Sequence, residues 1–322
     1  MNNALRIVFM GTPSFALSPL KALCEAGYTP VAVYTQPDQV NGRGGKISFS
    51  PVKQYATEQK IPVCQPLSFK DAAAVSALSD WRPDLIVVIA YGKILPQAVL
   101  DIPTYGAVNI HASLLPKYRG AAPVQRAILN RETETGVSLM RLDAGMDTGP
   151  VISRVVTDIG DTVTSGELLE TLADIGAKEL LRILPILPDA LANAVPQDEN
   201  KATYAEKITK DMGALDWTES AANLHARIRA LSPNPGTYTY FGGKRLKIWR
   251  SFLTDKETTA APGTVVSADK NGLLMATGKG VLGISRLQPE NKKEMDAADW
   301  LRGSKVKAGD RFGTEDGQSA GV

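Results

Sequence analysis

Six consecutive aliphatic residues, Leu85-Ile86-Val87-Val88-Ile89-Ala90, stand between Pro83 and Gly92. The run is too short to cross a membrane and too uniformly apolar for a strand with one wet face. It therefore reads as a β-strand covered on both sides. Shorter runs of the same kind lie at 7–10, 31–34 and 107–111, and a helical stretch at 14–26 is closed by Gly27. Strands apolar on both faces that alternate with helices predict a doubly wound, mainly parallel α/β sheet. Residues 137–142 and 151–156 add two strands around a glycine-rich loop, and 167–187 predict a long helix ending near Pro188.

After that the texture changes. Residues 189–208 are polar and without period, which predicts a linker between a domain at 1–188 and another at 209–322. Past a helix at 220–231 come five short β-like runs, at 237–241, 246–252, 263–268, 272–276 and 281–287. Strands at that spacing predict a small antiparallel barrel. The tail from Thr314 is small and polar.

Rare residues exclude much chemistry. Cys24 and Cys64 are the only cysteines, and His111 and His225 the only histidines, in 322 residues. A disulfide framework is not expected, both cysteines read as buried small hydrophobes, and a zinc site of clustered His and Cys cannot be assembled. With 43% apolar and 22% charged residues the composition is globular. No window of eighteen apolar residues occurs, and the first strand starts almost at once, so the expectation is a soluble, cytoplasmic chain without a leader. The net charge of +2 divides into −2 over 1–208 (19 basic, 21 acidic) and +4 over 209–322 (17 basic, 13 acidic). The second half thus leans weakly toward a polyanionic partner.

Two places carry chemistry. Gly11-Thr12-Pro13 sits where the first strand turns into the first helix, the place of a dinucleotide fingerprint. Proline lacks the N–H that would cradle a phosphate and the later glycine is missing, so a nicotinamide enzyme is disfavoured. Asn109 and His111 are two apart on a strand and project to one side at its C-terminal end, where clefts of open α/β sheets lie. An amide beside an imidazole offers an oxyanion donor and a proton-transfer group. An Asn-x-His pair by itself is also a common structural pattern.

The text that follows is more specific: Ala112-Ser113-Leu114-Leu115-Pro116-Lys117-Tyr118-Arg119-Gly120, then Asp143-Ala144-Gly145-Met146-Asp147-Thr148-Gly149-Pro150. In this order and separation the two segments resemble the folate-dependent formyltransferase family, whose pattern is N-x-H-x-S-L-L-P-x-[YF]-x-G followed by D-x-G-x-D-x-G. The opening residues 6–16, the insertion Gln36-Pro37-Asp38-Gln39-Val40-Asn41-Gly42-Arg43-Gly44-Gly45-Lys46 and the barrel-like second domain are similar to the branch that acts on charged initiator tRNA. The resemblance is strong to about residue 185 and weaker beyond.

It implies a Rossmann-like catalytic domain followed by an OB-fold-like β-barrel. It also implies transfer of a formyl group from 10-formyltetrahydrofolate to the amino group of an aminoacylated initiator tRNA, without a metal, by a monomer. On this reading Asn109, His111 and Asp147 are catalytic. Ser113, Leu114, Leu115 and Pro116 hold the folate, with Ala90 and Tyr91 lining the pterin. Arg43 and Lys46 in the insertion, and Lys244, Arg245, Lys247 and Arg250 on a barrel strand, contact tRNA; a solvated, charge-protected edge strand is the plainer reading of the last four. His225 reads as structural or exposed. Gly45 stands where the family commonly has a lysine, and Ser232-Pro233-Asn234-Pro235-Gly236 replaces a usual N-P-W-P segment. Formylation of a sugar nucleotide or of a glycinamide ribonucleotide remains open, as does an inactive RNA-binding relative, although the intact Asn109, His111 and Asp147 speak against the last.

Overall fold

The structure, a computed structural model, describes residues 5–41, 46–270 and 272–313, the side chains of 40, 41, 46 and 47 excepted. The chain divides into two units: Met1–Pro123 with Glu134–Asp158 and Leu169–Ala205, and Val124–Thr133 with Ile159–Leu168 and Glu206–Val322.

The first unit is built on a seven-stranded sheet. Its strands in chain order are β1 (Ile7–Gly11), β2 (Ala32–Tyr34), β5 (Val63–Cys64), β6 (Leu85–Ile89), β7 (Ala107–His111), β9 (Glu134–Arg141) and β10 (Val151–Asp158). The numbers between them belong to a hairpin of β3 (Gln39–Asn41) and β4 (Lys46–Ser48), and to the short β8 (Arg119–Gly120). In space the order is β10-β9-β7-β6-β1-β2-β5. The five from β7 to β5 are parallel, while β9 and β10 run antiparallel at the edge. Every residue of β1, β6 and β7 is buried, as the unbroken aliphatic runs require. The unit's helices are α1 (Leu17–Glu25), α2 (Pro51–Glu58), α3 (Ala72–Ser79), α4 (Gln97–Leu100), α6 (Ser165–Ile183) from Leu169 onward and α7 (Leu187–Ala192), while α5 (Pro123–Leu129) belongs from Val124 to the second unit. Ser50 caps α2 by accepting from Lys53 N, with Pro51 at the first helical position. Gly176 lets α6 lie against β7, for a Cβ there would come within 2.6 Å of Ile110 Cγ2.

Chain order moves from β1 outward to β2 and β5, then crosses back to β6 and β7. The sheet's switch point therefore lies beside β1, and the C-terminal ends of β1 and β6 open the crevice where such sheets bind ligands. The long helix expected at 167–187 runs as α6, a 3-10 turn at Leu184–Ile186 and then α7, because Pro185 and Pro188 interrupt the ladder. Residues 189–208, expected as a linker, are ordered. Val195 bridges Val151, and β11 (Tyr204–Ala205) pairs in parallel with β8. Cys24 and Cys64, expected buried, are free and half-buried.

The second unit carries the five expected strands: β12 (Thr237–Phe241), β13 (Lys244–Leu253), β14 (Val265–Asp269), β15 (Gly272–Ala276) and β16 (Val281–Pro289), with a short β17 (Met295–Asp296) on β16. Their order is β12-β13-β16-β15-β14, all antiparallel. The two edges meet through one segment: Arg311 bridges Thr264 next to β14, and Gly313 bridges Tyr240 of β12. The core holds Trp217, Leu246, Ile248, Met275, Ile284 and Phe312, to which α8 (Ala221–Ala230) adds Leu224 and Ile228 and α9 (Ala297–Gly303) adds Ala297. Residues 159–168 belong to this unit by their bonds. His225 of α8 engages Asp161 O (2.8 Å) and Ser251 Oγ (2.8 Å), and Arg250 pairs with Glu167 (2.5 Å). His225 is structural and 5% exposed. Among the described residues no helix is long and apolar enough to cross a membrane, and no three His, Cys, Asp or Glu side chains cluster for a metal. The tail from Thr314 lies outside the described residues.

Candidate active site

His111 ends β7 at the C-terminal edge of the parallel sheet, and Asn109 shares its face two residues earlier. Both are nearly buried, at 6% and 8% exposure. His111 Nε2 lies 2.9 Å from Tyr118 O, and its Nδ1 lies 3.6 Å from Asp147 Oδ2. An acceptor oxygen faces each ring nitrogen, so the ring can donate in both directions only as the imidazolium. Asp147 is presented from the loop between β9 and β10 with φ of +55°, in the left-handed region. Its Oδ2 also accepts the Gly120 N–H at 2.8 Å. The Asn109 amide makes no hydrogen bond to another described residue, so its N–H groups remain free to serve a substrate.

The turn after β7 is fixed by β9. Ser138, paired with His111, donates its hydroxyl to Ser113 O (2.7 Å) and accepts from Leu115 N (3.0 Å). Arg154 Nε donates to Leu115 O at 2.7 Å, and the Leu115–Pro116 peptide is cis. These bonds revise how the expected folate segment can act. The Ser113 hydroxyl is wholly buried and donates to Lys117 O (2.6 Å), and the Leu115 side chain is buried against Met140 and Val151. Leu114 is half-buried against Gly136. What the turn offers a ligand is its backbone and Pro116, while the side chains of Ser113 and Leu115 hold its shape.

At the switch point Ala90 follows β6 and is exposed, with φ of +45°. Tyr91, expected to line the pterin, instead turns its ring into the core. It is 1% exposed, with Phe69 at 6.4 Å, and burial pushes its hydroxyl up to about 12. Its carbonyl is the group that faces the crevice side, accepting from Thr12 Oγ1 (3.3 Å) and Gln36 Nε2 (2.9 Å). Gln36 N donates in turn to Thr12 Oγ1 at 3.2 Å. Beyond, Lys53 binds Asp38 (2.5 Å) and Gln65 (2.8 Å), and that contact holds the Asp38 carboxyl below the usual range. The signals for Thr12 and Gln36 were in the sequence as hydroxyl and amide residues just past strand ends, but no spacing singled them out.

Of the residues expected to meet tRNA, Arg43 lies outside the described residues, and Lys46 is placed by its backbone alone, paired with Asn41 in the hairpin. On β13, Lys244 and Arg245 are exposed, with the Arg245 guanidinium 3.7 Å from the Tyr238 ring centroid, and Lys247 sits over Trp249 at 5.2 Å. Arg250 does not join them. The strand shifts register after Ile248, and the guanidinium is engaged by Glu167, whose carboxyl that bond lowers to about 2. Arg245 and Lys247 remain interleaved with Tyr238, Tyr240 and Trp249, with the exposed Lys244 at the strand's start, the composition of a surface on which bases stack. Arg119, Gln197 and Glu199 join the site as well; the sequence reading assigned none of them a role.

Family models match nearly the whole chain: "formyl transferase" over residues 5–184 and "formyl transferase, C-terminal domain" over 207–305. The methionyl-tRNA formyltransferase of Methylococcus capsulatus is 47% identical over 311 residues, which is 96% of this chain and all of that protein. That of Acetivibrio thermocellus is 43% identical over 310 residues, with the same coverage. Among solved structures, an N-formyltransferase from Helicobacter canadensis in complex with folinic acid and dTDP-3-aminofucose aligns with a TM-score of 0.66 at 19% identity, covering 87% of this chain and 98% of that one. HypX from Aquifex aeolicus with tetrahydrofolic acid aligns at 0.62 and 17% identity, over 93% of this chain and 47% of that one. The fold, the paired segments and full-length relatives at this identity converge, and the chain belongs to the formyl transferase family, with both its N-terminal and its C-terminal domain.

Proposed function

We propose that this protein transfers the formyl group of 10-formyltetrahydrofolate to the α-amino group of methionyl-initiator tRNA, as a monomer in the cytoplasm. The acceptor is supported by the relatives of 40–47% identity, which share this chain's length and both domains. The chemistry is carried by one observation: a nearly buried amide without a partner among the described residues, beside an imidazole that faces two acceptors.

The folate co-substrate supplies an activated formyl carbon attached to a nitrogen leaving group. The chain's residues fit that group, because the free Asn109 N–H groups await an acceptor oxygen and the pinned backbone of residues 113–116 borders the same strand end. As the amine adds to the formyl carbon, negative charge develops on the formyl oxygen. Asn109 donates to that oxygen, and a donor so placed is worth on the order of 3 kcal/mol of barrier. His111 in its cationic form passes a proton to the departing nitrogen from Nδ1, whose 3.6 Å contact with Asp147 is longer than a hydrogen bond. Asp147 keeps the ring oriented, and through a water it takes the proton that the attacking amine loses. Lys244, Arg245 and Lys247, with Arg43 and Lys46 of the insertion, meet the tRNA phosphates.

The test is a three-arm assay: 10-formyltetrahydrofolate with methionyl-initiator tRNA, with an amino-sugar nucleotide, or with neither. Formylated tRNA in the first arm and no product in the others is the expected result. A sugar product without formylated tRNA overturns the acceptor assignment. Loss of turnover in folded His111→Ala and Asp147→Ala variants is expected; a folded Asp147→Ala with full activity removes that residue from the mechanism.

A further inference from the structure

The largest fully buried side chain among the described residues carries a charge: Arg119, at 0% exposure. Its guanidinium is satisfied on two sides. Nη1 and Nη2 grip the Glu199 carboxylate at 2.8 and 2.7 Å, and Nε and Nη2 share Gln197 Oε1 at 3.1 and 2.9 Å. With its oxygen thus occupied, Gln197 turns its Nε2 outward and donates to Asp147 O at 2.8 Å and Gly149 O at 2.7 Å. An ion pair with one buried partner is a poor source of stability, because desolvating the guanidinium offsets what the pairing returns. The arrangement is therefore better explained by what it positions.

Three consecutive residues reach the reacting groups. Tyr118 O faces His111 Nε2, Arg119 holds the Asp147 carbonyl through Gln197, and the Gly120 N–H holds the Asp147 carboxylate. Asp147 is a non-glycine residue at φ +55°, a conformation that persists only where the surroundings fix it. Without the Gln197 bonds, its peptide is free to turn and carry the carboxylate away from His111 Nδ1.

We propose that Arg119 and Gln197 are positioning residues: together they hold the loop of residues 143–150 so that Asp147 faces His111. The inference rests on the catalytic reading of His111 and Asp147 given above. Glu199 neutralises the guanidinium from the surface side, at 66% side-chain exposure, and completes the clamp.

Gln197→Glu isolates the claim. It keeps the length and the acceptor facing Arg119, but replaces the N–H donors with oxygens aimed at two carbonyls. Steady-state formylation should show kcat reduced about 30- to 100-fold, the scale of a misplaced catalytic group, with KM for folate and for tRNA within about twofold. Amide hydrogen exchange over residues 143–150 should rise about tenfold or more, while β7 keeps its protection. Gln197→Asn, shorter but still a donor, should recover part of kcat. Arg119→Lys retains the charge without the fork and should raise exchange in the same loop, which covers the case in which Gln197→Glu does not fold. A folded Gln197→Glu with wild-type kcat and unchanged loop exchange overturns the proposal, as does Arg119→Lys with an unchanged loop. If the wild-type protein formylates no acceptor, the catalytic reading fails, and the exchange measurement still decides whether the clamp holds the loop.

Discussion

Replacing Asn109 by leucine should make the protein more stable and nearly inactive. The amide is 8% exposed and has no hydrogen-bonding partner among the described residues. A polar group withdrawn from water without a partner costs about 1–3 kcal/mol. The Asn109 amide atoms are not among those sealed from water, so its removal gains at most about 1 kcal/mol. Leucine matches asparagine in heavy-atom count and meets apolar neighbours, for Asn109 is flanked across the sheet by Val88 and Met140. For a unit of this size 1 kcal/mol corresponds to about 2–4 °C in Tm. On the kinetic side, loss of one oxyanion donor should reduce kcat about 100- to 1000-fold with little change in KM. Thermal unfolding and steady-state formylation on the same preparation test both halves. A variant that keeps more than a tenth of wild-type kcat would refute the oxyanion role. A Tm lowered by several degrees would show that the amide is engaged in the folded protein, and the argument from its free N–H groups would fail.

Further outcomes follow from other parts of the structure. Gly136→Ala should cost about 3 kcal/mol, because its Cβ would stand 2.1 Å from Val155 O and 2.5 Å from Leu114 Cδ2, and the β9–β10 pairing cannot yield. An unchanged melting curve would contradict this packing. Burial lowers the His225 pKa below its ordinary 6.5, so below that pH the unfolded chain binds the extra proton and stability falls as pH drops. Glu167, held to about 2, adds a loss as pH falls below its ordinary 4.5. Thermal midpoints from pH 8 to 4 should show both, and His225→Gln should abolish the first. Binding of methionyl-tRNA should weaken steeply between 50 and 200 mM salt while folate binding holds, and Arg245→Ala or Lys247→Ala should each reduce the salt slope by about one. A salt-independent affinity would count against phosphate contact on this face.

The parts that were legible in sequence share a cause. The aliphatic runs of β1, β6 and β7 are local signals with a single physical reading, burial on both faces, and the structure buries every residue in them. Asn109 and His111 were legible because period two fixes their common side whatever the tertiary fold. The five barrel strands were legible from turn residues between short β-branched runs; the segment 311–313 that joins the two edges was not, since its pairing partners Thr264 and Tyr240 are remote in the chain. β2, expected at 31–34, was legible, but β5, two residues long, was too short for any periodicity to declare.

The errors share a cause as well: sequence reports the charge of a side chain, and its partner decides the use of that charge. Arg250 reads like Lys247 in the string Lys244-Arg245-Leu246-Lys247-Ile248-Trp249-Arg250, yet a register shift and Glu167, 83 residues away, turn it from a phosphate ligand into a structural ion pair. The polarity of residues 189–208 reads as a solvated linker for the same reason. Gln197 and Glu199 are polar because they meet a buried guanidinium 78 and 80 residues earlier in the chain. Composition alone cannot distinguish a charge facing water from one facing a buried countercharge, since both leave the same residue types behind. The distinction carries a consequence for substitution. Removing Lys244, which is exposed, should leave stability nearly unchanged, whereas Arg119→Met with Glu199 and Gln197 retained leaves the half-buried Gln197 acceptor facing an apolar side chain and should cost about 1–3 kcal/mol. Making Glu199→Leu and Gln197→Leu in the same chain should return much of that stability without returning activity, because the loop that carries Asp147 would still lack its donor.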